Sequence, residues 1–185
     1  MDPDRHRSVR IVAAAGLGVG ALFGLGGTLI ESAPLRQLFW TIDGVGLVVA
    51  SALLTLMHFR QGNDLIASGF LVFGIGEGII VSGNAAGLEG SLPSFGGGVA
   101  LWAAALLLTS VPRRFATWVR IAGVAAAVLF AITAVRIALG QSVLPTSSPL
   151  PFFAYPVLIL TFVGWIWTLL TEEPLRTSSE TDSTS

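Results

Sequence analysis

Long uncharged runs, separated by short polar punctuation, set the pattern of this chain. After a polar lead containing Asp2, Asp4, Arg5, His6, Arg7 and Arg10, residues 11–30 carry no charge. Twenty helical residues at 1.5 Å each reach about 30 Å, the thickness of a bilayer's hydrocarbon core. The pattern recurs and predicts further helices over 37–57, 64–82, 95–111, 115–139 and 152–170. Connectors rich in Gly, Pro, Asn and Ser, such as Gln61-Gly62-Asn63 and the stretch from Pro145 to Pro149, separate them. The expected class is therefore all-α, a polytopic transmembrane bundle of six helices. It divides into an N-terminal segment (1–10), a six-span domain (11–171) and a Ser/Thr-rich tail (172–185). The tail has too little apolar surface to offset its ordering entropy and is expected to be disordered.

The basic lead and first apolar run also resemble a secretory signal. Such a signal has an apolar core of only about 7–15 residues and a small-residue cleavage site. Here the run is longer and Glu31-Ser32-Ala33 leads into Pro34, so a retained first span is expected. Arginine counts then set the orientation. With the N-terminus inside, Arg5, Arg7, Arg10, Arg60, Arg113, Arg114, Arg120 and Arg176 share one side, against Arg36 and Arg136 on the other. Both termini are thus expected in the cytoplasm. Trp40, Trp118, Trp165 and Trp167 fall near predicted span ends, where indole favours the interface, whereas Trp102 falls near mid-span. A faint repeat, residues 46–60 against 98–114, is read either as two similar hairpins or as chance likeness between Leu/Ala-rich helices.

Composition narrows the chemistry. The chain is 53% hydrophobic and only 11% charged, against roughly 25% charged in soluble domains, and its mean hydropathy is +0.79. Its surroundings are therefore lipid, and the multi-pass pattern with Arg but no Lys suggests the inner membrane of a bacterium with a GC-rich genome. The net charge of −1 gives no basic patch for nucleic acid. The absence of Cys removes disulfides and thiolate metal sites. The absence of Lys excludes Schiff-base cofactors. With only His6 and His58, there is no bis-histidine haem between spans, no H-E-x-x-H metal site and no intramembrane Ser–His pair. No loop is long enough for a soluble catalytic domain and no Walker A motif occurs. No enzyme activity, catalytic residue, metal or cofactor is expected.

Two kinds of residue remain. The first is small: Gly16, Gly20 and Gly24 recur every fourth position, and Gly74 and Gly78 repeat that spacing in the third span. In a helix this exposes a strip of bare backbone to which a second helix can approach closely. The second is ionisable: Asp43, Glu77 and Arg136 lie within apolar spans. Counted from the predicted span ends they sit at depths of about 9, 7 and 5 Å, all in the outer half. An intramembrane charge costs roughly 2.5–3.5 kcal/mol on insertion scales, so pairing or a wet cavity is expected. The inferred cluster places Arg136 between the two acids. Either it is structural, with Arg136 neutralising an acid or snorkelling to the interface, or it binds a proton, cation or cationic ligand. His58, Arg60 and Asp64 read as interfacial residues around a turn, with a proton relay as the alternative. Tyr155-Pro156 is expected to kink the last span.

The function expected is that of a small multi-pass membrane protein that binds or conducts a small solute or ion through Asp43, Glu77 and Arg136, as a homo-oligomer. The alternative is a non-transporting scaffold or accessory subunit, joined to another membrane subunit through the Gly-rich face of the first span.

Overall fold

The computed structural model describes residues 3–171, which among them form helices and turns and no strand. The helices are α1 (Pro3–Leu29), α2 (Ala33–Arg60), α3 (Asp64–Gly83), the short α4 (Gly87–Gly90), α5 (Leu92–Ser110), α6 (Thr117–Ala138) and α7 (Ala154–Thr171). A single 3₁₀ turn, Asn84–Ala86, joins α3 to α4. Six of the seven are long and apolar enough to cross a membrane, as the hydropathy pattern requires. The tail at 172–185 lies outside the described residues.

Helix boundaries depart from the expected ones where proline decides them. α2 begins at Ala33, four residues early, and α5 at Leu92, three early, with Pro34 and Pro93 in their first turns. Proline's fixed φ suits that turn, and its missing N–H would be unpaired there in any case. The same argument corrects the expected kink at Tyr155-Pro156. α7 starts at Ala154, so Pro156 falls in its first turn and removes no helical hydrogen bond. The α2–α3 turn closes on Gly62, whose φ of +71° suits a residue without Cβ.

The six long helices form a closed ring. Each packs on its neighbours in sequence, and α7 returns to pack on α1. Arg10 Nε donates to Leu169 O at 2.6 Å across that last seam. The ring's interior holds Phe70, Phe73, Phe130, Phe162 and Trp165, all essentially inaccessible. Its exterior carries Val45, Leu56, Ile75, Ile121, Val135 and Val163, each at least half exposed. An apolar belt outside and an aromatic core inside is the arrangement of a bundle solvated by lipid.

Glycine sets how closely the helices approach. A Cβ on Gly16 would sit 2.7 Å from Gly46 O of α2, one on Gly20 would collide with Leu47, and one on Gly24 would lie 2.8 Å from Asp43 Oδ2. The α1 stripe is therefore occupied by α2. Gly74 meets Ser51 of α2, its Cβ position 3.0 Å from Ser51 Cβ. Gly78 does not pack as expected: a Cβ there meets nothing within 4 Å. The close crossing of α3 with α5 runs instead through Gly76 and Gly98, where a Cβ on Gly76 would stand 2.9 Å from Gly98 O. Two residues turn a helix by about 200°, so with Gly76 against α5, Gly78 faces outward.

These contacts predict opposite outcomes for two neighbouring substitutions. Gly76→Ala should destabilise the detergent-solubilised protein by about 1–3 kcal/mol. Gly78→Ala should be neutral or stabilising by up to about 1 kcal/mol. Paired thermal melts check this.

Candidate functional site

α2 and α3 bring two of the three sequence-derived polar residues together. Asp43 is 8% exposed and Glu77 only 2%. Because α2 starts at Ala33, Asp43 lies ten residues along it, about 15 Å from its start rather than about 9 Å. Glu77 sits six residues before Gly83, about 9 Å from the end of α3. Bare backbone makes room for both acids. The Asp43 carboxyl abuts Gly20 and Gly24 of α1, and a Cβ on Gly44 would stand 3.1 Å from Glu77 Oε1.

Both acids line a cavity of about 60 Å³ walled by α1, α2, α3, α5 and α7. One water needs roughly 10–15 Å³, so the space suits a few waters or a ligand of a handful of heavy atoms. Its walls include Trp40, Phe95, Trp102, Tyr155 and Phe162. The Tyr155 hydroxyl donates to Pro145 O at 3.0 Å, which fixes the phenol at the rim. Asp43 Oδ1, Glu77 Oε2, Trp102 Nε1 and Asn84 Nδ2 are buried and have no protein partner. All four of these residues line this one cavity. Buried polar atoms are normally paired, so two bare acceptors and two bare donors around one space are unusual.

Arg136 is not in this cluster. It lies in the last turn of α6 and its Nε donates to Gln141 Oε1 at 2.7 Å in the following loop. α6 contributes no residue to the cavity wall. The inward position next to it is Ile137, which packs on Gly96 of α5. Arg136 therefore snorkels to the rim, one of the two readings open from sequence. Among the described residues, no other cationic side chain lines the cavity. The guanidinium of Arg36, half-buried at the start of α2, lies 5.7 Å from the ring centre of Trp40 and donates to Ile30 O at 3.2 Å.

His58 also departs from its expected interfacial role. α2 runs on through Arg60, and His58 is buried within its last turn at the opposite end of the bundle. Its ring stacks on Phe70 at 5.5 Å and meets Phe115 edge-on at 6.1 Å. With Arg114 and Trp165 it lines a second cavity of about 10 Å³. An aromatic column fills the space between the two cavities. Trp102 stacks on Phe73 at 5.2 Å, Phe73 meets Trp165, and Trp165 meets Phe70 edge-on at 4.8 Å.

Sequence reading missed Trp40, Asn84 and Phe162 as cavity residues. For Trp102 a signal was present, since mid-span indole is out of place in an interfacial belt. Among the described residues, no group of three His, Asp or Glu side chains is placed to hold a metal ion. The chain matches no family model, no curated protein and no solved structure.

Arg136→Gln should leave thermal stability within about 0.5 kcal/mol of the parent, because only a rim contact is lost. A fall of many degrees in melting temperature would return the guanidinium to the acids.

Proposed function

We propose that this is a multi-pass protein of a bacterial inner membrane, with both termini in the cytoplasm, that binds and conducts a small cation through the Asp43/Glu77 cavity. One observation carries the reading. Two deeply buried carboxyl groups face a single cavity that, among the described residues, no cationic side chain lines. A carboxylate in lipid surroundings needs a compensating positive charge or a proton, and here the described residues supply no side chain that provides it. The cation is the missing partner in this reading, and the cavity is where it binds. The aromatic column at its floor separates it from the His58 end, so passage requires those rings to move.

The other reading, an accessory subunit assembled through Gly16, Gly20 and Gly24, needs that stripe to be free. α2 covers it, so a partner subunit would have to use another face. A homo-oligomer formed through the apolar exterior remains compatible with cation conduction.

Purified protein in liposomes should pass protons or a monovalent cation. Glu77→Gln, with a melting temperature close to the parent's, should slow that flux at least about tenfold, the effect of removing one charged contact. If Glu77→Gln flux equals the parent's, or the parent shows none above empty liposomes, conduction through this cavity is wrong. If Glu77→Gln and Asp43→Asn both fail to fold, the pair is structural.

A further inference from the structure

Asp43 Oδ1 and Glu77 Oε2 are acceptors, whereas Trp102 Nε1 and Asn84 Nδ2 are donors, and none has a protein partner. A bare inorganic cation would satisfy the acceptors and leave both N–H groups stranded. A proton would serve one carboxyl and do nothing for the indole. A ligand that meets the acids and the indole together must donate at one end and accept at the other. The walls add a second requirement. Trp40, Phe95, Tyr155 and Phe162 present ring surface to the same cavity. Such surface suits alkyl carbon and the positive end of an ammonium, while it would leave a water cluster short of partners. The volume of about 60 Å³ limits the ligand to a handful of heavy atoms.

We propose that the cavity binds a small primary ammonium compound with an oxygen acceptor two or three carbons away, an amino alcohol in chemical class. Its ammonium is held by Asp43 and Glu77, and its oxygen accepts from Trp102 Nε1, while Asn84, seven residues beyond Glu77, stands about 10 Å further along the bundle. This rests on the cation-binding reading above and names its ligand. Trp102, 5% exposed, and Glu77, 2% exposed, form the rigid part of the site, since Trp102 is clamped by Phe73 at 5.2 Å and Phe130 at 5.3 Å. The same ammonium-and-oxygen chemistry occurs in a free amino alcohol and in an ethanolamine lipid headgroup, so both sources must be tried.

The test uses the full chain in phosphatidylcholine nanodiscs, titrated with ethanolamine, ethylammonium and ethylene glycol. Binding is read by calorimetry and by thermal shift. Ethanolamine should bind more tightly than ethylammonium, and ethylene glycol should not bind. Glu77→Gln should weaken ethanolamine at least about tenfold, and Trp102→Phe should weaken it about threefold to tenfold while sparing ethylammonium. The Trp102→Phe split is a readout that simple loss of packing would not produce. If free ethanolamine is inert but phosphatidylethanolamine nanodiscs raise the melting temperature, and Glu77→Gln abolishes the rise, the ligand is the headgroup and the proposal stands. If neither source binds while Glu77-dependent proton or inorganic cation flux persists, the ligand class is wrong and the cation reading survives. If flux is absent as well, both fall. Equal binding of ethanolamine and ethylammonium would also overturn the assignment, because the indole donor would then have no role.

Discussion

A carboxyl group can sit inside a lipid-embedded bundle only where the neighbouring helices leave room for it, and in this protein glycine leaves that room. Gly20 and Gly24 of α1 border the Asp43 carboxyl, and Gly44 of α2 borders that of Glu77. The same missing Cβ atoms bring α1 against α2 and α2 against α3. Tight packing and the placing of the acids are thus one feature and not two. A larger residue at any of these positions would push on a helix and on a carboxyl group together. The ring, its cavity and the bare polar atoms around it all depend on this spacing.

Much of the fold was legible in the residues. Six apolar runs, each long enough to span hydrocarbon as a helix, specify six helices, since a helix satisfies its backbone polar groups within its own segment. The membership of the acid pair was legible for the same reason, because Asp43 and Glu77 stand out against apolar neighbours. Arg136 was misplaced because depth along a helix says nothing of direction around it. Three residues from its helix end, it had a route to the rim, and Ile137 took the inward position. Of the Gly74/Gly78 pair only Gly74 packs on a neighbour, Ser51 of α2, because spacing fixes which residues share a face but not how far along it a neighbouring helix stays close. His58 was misjudged through a boundary. With the helix drawn to end at Met57 it read as interfacial, but one further turn of α2 puts it indoors.

The two ends of the bundle differ in character. One holds two acids, an indole and an amide around a cavity of several waters' volume; the other holds a single imidazole packed between phenyl rings. The rings between them, Trp102, Phe73, Trp165 and Phe70, are held by stacked and edge-to-face contacts. Each such contact is worth about 0.5–1.5 kcal/mol beyond area burial. Together the rings fill the interior between the two cavities.

The order of the ring has a consequence for biogenesis. Hairpins between consecutive helices can form as the chain emerges, and the first of them, α1–α2 and α2–α3, already bring the two acids side by side. The wall supplied by Tyr155, Leu158 and Phe162 belongs to α7, which follows the other described helices in the chain. Until α7 docks against α1, the acids face an open seam in the nascent bundle. The site is therefore roofed only when the helix farthest along the described chain has joined the first.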